Sequence, residues 1–319
     1  DNMQLYSNRF KMVRSIKLYK SFDIKNHHKK SIILIGNFDG LHLGHQKLFK
    51  LANKYKKKFY SKTGVLTFEP MPKMFFNPQI RNFRISNQKQ KINLLKKFNV
   101  DFVIIKRFDR KFSKTKSTDF IKKILEKKLK AKFIFVSNNF RFGNKREGNV
   151  NQLIKYEKTC NYKIIKPKPL LLKKKVVSSS LIRKYLQKGK LEEANKLLKR
   201  NWSIQGTVKK GRQIGKKIGF PTANLNINDS VLACPGVYAV KVKIQKNDKF
   251  IKGIANLGYR PTFKGKKILL EVHLFNFSRN LYDKYLTVEF LKFIRKEKKF
   301  KNVNQLKKQI KRDLLEAKK

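Results

Sequence analysis

The sequence predicts a two-domain protein: an α/β domain on a doubly wound parallel sheet, followed by a small antiparallel β-barrel with a terminal helix. The chain has 319 residues, of which 40% are hydrophobic, so it can build two separate cores. In the first part, short apolar runs alternate with amphipathic segments, which is typical of a parallel sheet. In the second part, strand-like runs follow one another between Gly and Asn turns. We predict domains over residues 1–186 and 187–319.

The first domain is predicted from five apolar runs. Residues 31–35 form such a run that ends at Gly36, as expected for a buried parallel strand. Further strands are predicted over residues 63–68, 102–105, 133–136 and 163–165. Apolar residues at helical spacing predict helices over residues 46–56, 89–98, 118–129 and 150–156. Because strands and helices alternate, the connections are expected to be right-handed crossovers between parallel strands.

The pattern changes after Ser180. Two short helices are predicted over residues 181–187 and 191–198, separated by Gly189. Strand-like runs then occupy most of the chain from Ile204 onward, including residues 237–244, 251–255, 268–275 and 285–293. Consecutive strands with short turns favour an antiparallel barrel, and residues 303–317 form a predicted closing helix.

The charge balance is extreme, with 80 Lys and Arg against 20 Asp and Glu, a formal net charge of +60. A basic nucleic-acid-binding protein is therefore one alternative. The lysines are spread over the whole chain, however, and do not gather on one arm or helix face. We therefore expect attraction of nucleotide phosphates and non-specific binding of polyanions, with no specific nucleic-acid partner.

Compartment and membrane association are predicted from what the sequence lacks. It contains no apolar run long enough for a membrane span and no apolar leader segment near its first residues. Cys160 and Cys234 are the two cysteines, and they form no CxxC pair. We expect reduced thiols, a cytoplasmic location and no membrane partner.

The most informative motif, GNFDGLHLGH at residues 36–45, lies between the first predicted strand and the first predicted helix. Open α/β sheets bind ligands at this position. Gly36 and Gly44 allow the backbone to approach a phosphate closely, and the helix N-terminus offers free N–H groups. His42 and His45 can donate hydrogen bonds to phosphate oxygens and stabilise developing charge.

This motif resembles the nucleotide-binding motif of the HxGH nucleotidyltransferases. With the following Gln46 it is similar to the form found in bifunctional bacterial riboflavin kinase/FAD synthetases. The resemblance continues through LTFEPMP (66–72), FSKTKSTDF (112–120), NFRFGNKREG (139–148) and VSSSLIR (177–183). It implies that FMN attacks the α-phosphorus of ATP directly, giving FAD and pyrophosphate.

The resemblance also implies roles for individual residues in this first site. His42 and His45 would be catalytic through contacts with the ATP phosphates. The other implied ATP-binding residues are Gly36, Phe38, Asp39, Gly44, Ser178, Ser179 and Arg183, and the implied flavin-binding residues are Asn139, Phe140 and Arg141. The family usually has Gly at the position of Ser137 and often Asp at that of Asn139.

A second motif begins with a glycine-rich basic stretch at residues 211–219 and continues as GFPTANL at residues 219–225. The stretch could cover a phosphate, although it is not a Walker motif. GFPTANL is similar to the PTAN motif of riboflavin kinases. The resemblance implies that Thr222 and Asn224 hold Mg²⁺ and that Gly211, Gly215, Lys216 and Gly219 bind ATP. Lys216 stands where the family usually has Arg.

Glu271 lies in a predicted apolar strand, where a carboxylate needs an explanation. Strand alternation places Leu269, Glu271 and His273 on one face, so a simple solvent-facing position is one interpretation. The resemblance makes Glu271 the general base that deprotonates the ribityl hydroxyl of riboflavin. It extends through residues 234–242, 253–263, 270–277, 281–290 and 293–300, with Asn276 and Asp283 where the family often has Asp and Gly.

The complete resemblance implies a two-step enzyme. Riboflavin is phosphorylated to FMN and FMN is adenylylated to FAD, with ATP as co-substrate of both steps and Mg²⁺ as cofactor. Two alternatives stay open from the sequence. The kinase could be the active half alone, since the departures at Ser137 and Asn139 affect the adenylyl-transfer motif, or the chain could be a basic nucleic-acid-binding protein.

Overall fold

The computed structural model describes residues 15–80, 82–210, 219–227, 229–244, 249–262 and 265–319. It contains two compact units, each of which is made of three segments that are separate in the sequence. Unit 1 takes residues up to Asn37 together with Leu48–Met71 and Ile92–Lys168. Unit 2 takes Phe38–Lys47, Pro72–Lys91 and Pro169–Lys319. The division of the two activities between residues 186 and 187 remains a prediction.

Unit 1 is built on a six-stranded parallel sheet, which confirms the predicted α/β class. Its strands are β1 (Lys17–Tyr19), β2 (Ile32–Ile35), β3 (Thr63–Glu69), β4 (Phe102–Arg107), β5 (Phe133–Phe135) and β8 (Lys163–Ile165). They lie in the order β1-β4-β3-β2-β5-β8, and every pairing is parallel. A small hairpin of β6 (Arg141–Phe142) and β7 (Gly148–Asn149) follows β5. The sequence did not predict β1 or this hairpin.

Strand β3 packs closely on β4 because position 64 is a glycine and has no side chain. A Cβ atom at Gly64 would lie 2.2 Å from the ring of Phe102. Phe102 is fully buried, together with residues of all six strands and the π-helical segment described next. Any larger residue at position 64 would therefore displace the aromatic centre of this core.

The helices of the first half follow the predicted order with one change of type. They are α1 (Leu43–Lys58), α2 (Pro72–Phe76), α3 (Gln88–Lys96), α4 (Arg110–Ser113), α5 (Ser117–Asp119) and α6 (Val150–Lys155). The predicted α-helix at residues 118–129 is instead a short α-turn that continues as a π-helix over Phe120–Lys128. Its wider turn still buries Phe120, Ile121, Ile124 and Leu125, so apolar spacing could not distinguish the two helix types.

Unit 2 contains the predicted antiparallel barrel, and its six strands form a closed ring. A hairpin of β9 (Leu171–Leu172) and β10 (Lys175–Val176) precedes α7 (Ser179–Gln187) and α8 (Leu191–Leu198). The barrel strands are β11 (Ser203–Lys209), β12 (Ala223–Asn226), β13 (Gly236–Lys243), β14 (Ile251–Thr262), β15 (Gly265–Leu274) and β16 (Tyr285–Lys296), and the terminal helix is α9 (Val303–Lys318). The ring order is β11-β12-β15-β14-β13-β16. Strand β14 is longer than the predicted run at residues 251–255.

The barrel core continues into the helices that precede it. Alternate strand residues such as Val208, Leu270 and Val288 point inward and are buried. Ile182, Leu186 and Leu198 of α7 and α8 belong to the same apolar cluster. Trp202 connects the two parts, since its ring lies 4.6 Å from that of Phe290 and is almost fully buried.

A buried ion pair ties α9 to the barrel. Nε and Nη2 of Arg295 contact the carboxylate of Asp313 at 2.6–3.0 Å, and Asp313 is only 4% exposed. Gln309 donates a further hydrogen bond to this carboxylate at 2.8 Å. The pair closes one side of unit 2 and lies on elements separate from the HxGH motif.

Candidate active sites

A sharp turn carries the HxGH motif in unit 2. Asp39–Leu41 form a 3₁₀ turn, and α1 begins at Leu43 directly after His42. Phe38, Gly40 and Leu41 all have positive φ, at 48°, 77° and 38°. A Cβ atom at Gly40 would also lie 2.9 Å from Ile85. The glycine therefore allows a turn that places both histidines at the N-terminus of a helix.

His42 and His45 form a stacked pair. Their ring centroids are 3.7 Å apart and their planes differ by 20°. The backbone N–H of His45 lies 3.4 Å from Nδ1 of His42, which accepts this hydrogen bond. A neutral His42 therefore carries its proton on Nε2, the nitrogen that can donate to a ligand. Nδ1 of His45 is buried and has no hydrogen-bond partner among the described residues.

Burial keeps both imidazoles neutral. It lowers the pKa of His42 to about 4, and the positive charges of Arg183 and Arg200 add to this effect. Burial also holds the pKa of His45 well below its usual value, with smaller contributions from His42 and Lys91. At neutral pH the pair therefore presents N–H donors without formal charge.

The carboxylate of Asp39 is the centre of a buried polar network. Asp39 is 5% exposed and accepts hydrogen bonds from the backbone N–H groups of Ile85 at 3.0 Å and Ser86 at 3.1 Å. Nη2 of Arg183 contacts the same carboxylate at 2.5 Å. The hydroxyl of Ser179 donates to the backbone oxygen of Asp39 at 2.9 Å. This carboxylate joins the turn to two other segments.

The N-terminus of α7 lies beside this network. Ser178 is its N-cap, and the Ser178 hydroxyl accepts from the N–H of Leu181 at 3.2 Å. Nε of Arg183 donates to the backbone oxygen of Phe83 at 2.7 Å, and the guanidinium lies 3.6 Å above the Phe83 ring. The predicted residues His42, His45, Asp39, Ser178, Ser179 and Arg183 therefore come together around one turn. Two helix N-termini and a fixed guanidinium suit a phosphate ligand.

The predicted flavin-binding residues lie in unit 1, after β5. Asn139 and Arg141 are exposed, and Oδ1 of Asn139 accepts from the hydroxyl of Ser137 at 2.9 Å. The ring of Phe140 stacks on Phe142 with 5.6 Å between centroids. Gly36 directly follows β2 in the same unit. This segment offers an aromatic ring, an amide and a cation.

The barrel carries the second group of predicted residues on its outer face. Glu271 of β15 lies directly opposite Asn224 of β12 and Asn256 of β14 in the strand register. Directly paired residues share a face and lie about 5 Å apart at Cβ. Glu271 is half-buried, while its neighbours Leu270 and Val272 point into the barrel. The predicted alternation of this strand is confirmed.

Thr222 and Gly219 precede β12. Thr222 is half-buried and lies two residues before Asn224, and the backbone oxygen of Pro221 is 2.8 Å from Nδ1 of His273 on β15. Gly219 has a φ of 88° with open space at its Cβ position. Gly211, Gly215 and Lys216 lie outside the described residues. The structure thus places one predicted Mg²⁺ ligand, Asn224, directly beside the predicted base, Glu271.

The sequence motifs assigned no role to Arg200 or Gln46, which hold the HxGH turn. Nη2 of Arg200 donates to the backbone oxygen of Gly40 at 2.7 Å, and Nε2 of Gln46 donates to that of Leu41 at 2.9 Å. Arg200 is separated from Gly40 by 160 residues and follows a Lys-rich helix end. No local pattern distinguishes it from the surrounding basic residues.

The histidine pair predicts an acid-sensitive fold. Unfolded histidines have a pKa near 6.5. Below that pH the two histidines are protonated in the unfolded chain while they stay neutral in the folded protein. Stability should therefore fall as pH decreases from about 6.5 to about 4, by up to about 1.4 kcal/mol per pH unit for each histidine. Urea unfolding at several pH values gives the free energy of unfolding as a function of pH. This free energy should fall less steeply with decreasing pH in His42→Gln than in the natural chain. An equal dependence on pH in both proteins would contradict the low pKa of His42.

Comparison with known proteins agrees with this division into two sites. A family model described as FAD synthetase matches residues 24–181, and one described as riboflavin kinase matches residues 198–319. The first match contains the HxGH turn. The second contains the Asn224–Glu271 pair.

Several curated proteins named bifunctional riboflavin kinase/FMN adenylyltransferase are similar over nearly their whole length. The protein of Buchnera aphidicola subsp. Schizaphis graminum is 42% identical, with 95% of this chain and 96% of the relative covered. The Haemophilus influenzae protein is 38% identical over 90% and 92%, and the Escherichia coli K12 protein is 36% identical over 90% and 91%.

A solved structure has the same fold. A crystal structure described as a macrolide-efflux protein from Streptococcus pneumoniae superposes with a TM-score of 0.82 and 30% identity, covering 93% of this chain and 96% of that one. In the part of the chain that the structure describes, no helix is long and apolar enough to cross a membrane. On the identity and coverage of its relatives and on both domain matches, the chain belongs to the bifunctional riboflavin kinase/FMN adenylyltransferase family.

Proposed function

We propose that the chain phosphorylates riboflavin to FMN with one ATP and then transfers the AMP group of a second ATP to FMN, releasing pyrophosphate. One observation carries this proposal: each family match contains its own group of polar residues with the required chemistry. The HxGH turn presents neutral imidazole donors, and the barrel presents the Glu271 carboxylate opposite the amide of Asn224. We place the residues that contact the substrates of adenylyl transfer within 1–186 and those that contact the substrates of the kinase within 187–319.

Adenylyl transfer is a direct displacement in this proposal. A phosphate oxygen of FMN attacks the α-phosphorus of ATP, and the bond to the β-phosphate oxygen breaks as pyrophosphate leaves. Nε2–H of His42 and the imidazole of His45 donate hydrogen bonds to phosphate oxygens whose charge increases during the reaction. Because both groups are already neutral donors in a buried position, they need no proton transfer to act.

Arg183 supplies positive charge in a fixed position. Asp39 and Phe83 orient its guanidinium through Nη2 and Nε, while Nη1 makes no hydrogen bond to the residues that the structure describes. We assign Nη1 and the N–H groups at the start of α7, near Ser178 and Ser179, to the ATP phosphates. Asp39 then acts mainly by orienting Arg183, and its predicted contact with ATP stays a prediction.

We assign two further groups of residues to adenylyl transfer. The backbone at Gly36, Phe38 and Gly44 lies close to the nucleotide. A Cβ atom at Gly44 would be 3.1 Å from the His42 ring, so glycine preserves the position of that histidine. Asn139, Phe140 and Arg141 bind FMN, for which an aromatic ring and an exposed cation are suitable.

The kinase reaction uses the outer face of the barrel. Glu271 accepts the proton of the ribityl hydroxyl as that oxygen attacks the γ-phosphorus of ATP, and ADP leaves. Its carboxylate lies on the outer face of the barrel, directly opposite Asn224 and Asn256 in the strand register. Its half-buried position opposite Asn224 places it at the edge of the proposed nucleotide site.

The residues beside Glu271 fit a magnesium ion. Thr222 and Asn224 provide hydroxyl and amide oxygens, which suit a hard cation that also binds ATP phosphates and water. We propose that they hold Mg²⁺, which would neutralise charge on the ATP phosphates. We also assign ATP binding to Gly211, Gly215, Lys216 and Gly219 of the glycine-rich stretch.

The central experiment is incubation of the full chain with riboflavin, ATP and Mg²⁺, followed by chromatography of flavins. FMN should appear first and FAD should follow as FMN accumulates. If FMN forms but FAD does not, even when FMN is supplied, the chain has only the kinase activity. Absence of both products, with salt-dependent RNA binding, would favour the nucleic-acid-binding alternative.

Two substitutions should separate the activities. Glu271→Gln should slow riboflavin phosphorylation by roughly 10²- to 10⁴-fold while FAD formation from supplied FMN continues. His42→Ala or His45→Ala should slow FMN adenylylation by roughly 10²- to 10³-fold while phosphorylation continues. The double histidine variant should be strongly non-additive, because both rings act on the same phosphates.

Each variant is the folding control for the other. Equal loss of both rates in one variant would indicate a folding defect. Near-normal phosphorylation in Glu271→Gln would mean that Glu271 is a solvent-facing residue and not the general base. Full FAD synthesis in the double histidine variant would contradict the proposed adenylyl-transfer site.

A further inference from the structure

We propose that Arg200, in the segment between α8 and β11, is a positioning residue for adenylyl transfer that fixes the turn carrying His42. The inference rests on the proposed function of that turn. It also assigns part of the adenylyl-transfer machinery to the stretch of chain that matches riboflavin kinases, residues 198–319. No motif of the adenylyl-transfer half contains this residue.

The guanidinium of Arg200 binds the turn directly. Nη2 donates to the backbone oxygen of Gly40 at 2.7 Å and lies 3.4 Å from the hydroxyl of Ser86. Nη1 donates to the backbone oxygen of Leu198 at 3.2 Å. Burial lowers the pKa of Arg200 to about 10, so the group stays charged at neutral pH. These contacts go to protein oxygens, which is why we assign Arg200 to positioning and not to ATP binding.

The turn needs such support because its own conformation is unfavourable. Phe38 and Leu41 have positive φ, which side chains of this size rarely adopt without contacts that hold them. Arg200 fixes the oxygen of Gly40, and Gln46 fixes the next oxygen, that of Leu41. Gln46 also donates to the oxygen of Leu198 at 3.0 Å. The position of His42, the next residue along the chain, depends on these contacts.

The same segment supports the turn by a second route, through residues 83–90, which we call the strap. Nε1 of Trp202 donates to the backbone oxygen of Ile85 at 3.1 Å, and Nε2 of Gln90 donates to that of Ser203 at 3.0 Å. The N–H groups of Ile85 and Ser86 in turn bind Asp39. Two residues beyond Arg200, the chain therefore also positions the amides that hold the Asp39 carboxylate.

Asp229 and Val231, which lie between strands β12 and β13 of the barrel, anchor the other end of the strap. The backbone oxygen of Asp229 accepts from the N–H groups of Phe83 at 3.1 Å and Arg84 at 2.8 Å, and Val231 donates to the oxygen of Arg84 at 2.8 Å. All these residues belong to unit 2. Adenylyl transfer therefore depends on residues of the kinase half, whereas no backbone hydrogen bond among the described residues joins the HxGH turn to the Asn224–Glu271 pair.

The test compares Arg200→Gln and Arg200→Lys in the full chain. Arg200→Gln should reduce kcat for FAD formation by about 10- to 100-fold, the cost of a small displacement of catalytic groups, with the KM for ATP changed less than threefold. Riboflavin phosphorylation should stay within twofold. Arg200→Lys keeps a charged donor that can reach Gly40 and should restore most of the FAD rate.

Arg295→Gln is the matched control. Arg295 is likewise a mostly buried arginine of unit 2, but it binds Asp313 of the terminal helix and does not contact the turn. Its substitution should lower thermal stability and leave the ratio of the two reaction rates unchanged. Trp202→Phe keeps an aromatic ring and removes the donor to Ile85, so it should lower the FAD rate selectively even if Arg200→Gln does not fold.

The outcomes distinguish this inference from the proposed function. If the natural chain forms no FAD, both are refuted. If it forms FAD and Arg200→Gln and Trp202→Phe do so equally well, the positioning role is refuted and the proposed function stands. A parallel fall of both rates, as from general destabilisation, or a loss confined to the KM for ATP, would also overturn the positioning role.

Discussion

The buried carboxylate of Asp39 is the interaction on which the proposed adenylyl-transfer site depends. A carboxylate removed from water costs several kcal/mol unless paired and hydrogen-bonded, and here two backbone N–H groups and one guanidinium satisfy it. These donors come from the strap and from α7, while Asp39 itself belongs to the turn. One charge thus determines the relative positions of three segments that are distant in sequence.

In the proposed nucleotide site, positive charge and hydrogen-bond donation to phosphate come from different residues. Burial is the main reason why the pKa of His42 is low, and the positive charges of Arg183 and Arg200 near the turn lower it further. The histidines are then neutral donors, so the guanidiniums supply the charge that attracts ATP. With a net charge of +60 spread over the chain, the surface adds long-range attraction for any polyanion but little selectivity. Selectivity must come from the fixed groups.

The sequence predicted those features that depend on local periodicity. Apolar runs located all but one of the sheet strands, and alternation placed Glu271 on the outer barrel face beside Leu269 and His273. The π-helix after α5 was mistaken for an α-helix, because both bury the same apolar residues. The short strand β1 and the hairpins of two-residue strands carry too few residues for a periodic signal.

The site was predictable in composition but not in arrangement. The HxGH and PTAN motifs selected His42, His45, Thr222 and Asn224 as candidate residues from sequence alone, and their roles stay predictions. The partners of Asp39 lie 46, 47 and 144 residues away, and Arg200 contacts Gly40 across 160 residues. Such contacts follow from tertiary packing, and in a chain with 80 basic residues no local signal marks two particular arginines.

The most direct test of the account is a double-mutant cycle on Asp39 and Arg183. Urea unfolding would be measured for Asp39→Asn, Arg183→Gln, the double variant and the natural chain. Each single change leaves a buried partner unpaired and should cost about 3–5 kcal/mol. The double variant should cost less than the sum of the two single variants by at least about 1.5 kcal/mol. Additivity within about 0.5 kcal/mol would contradict the central role of this carboxylate.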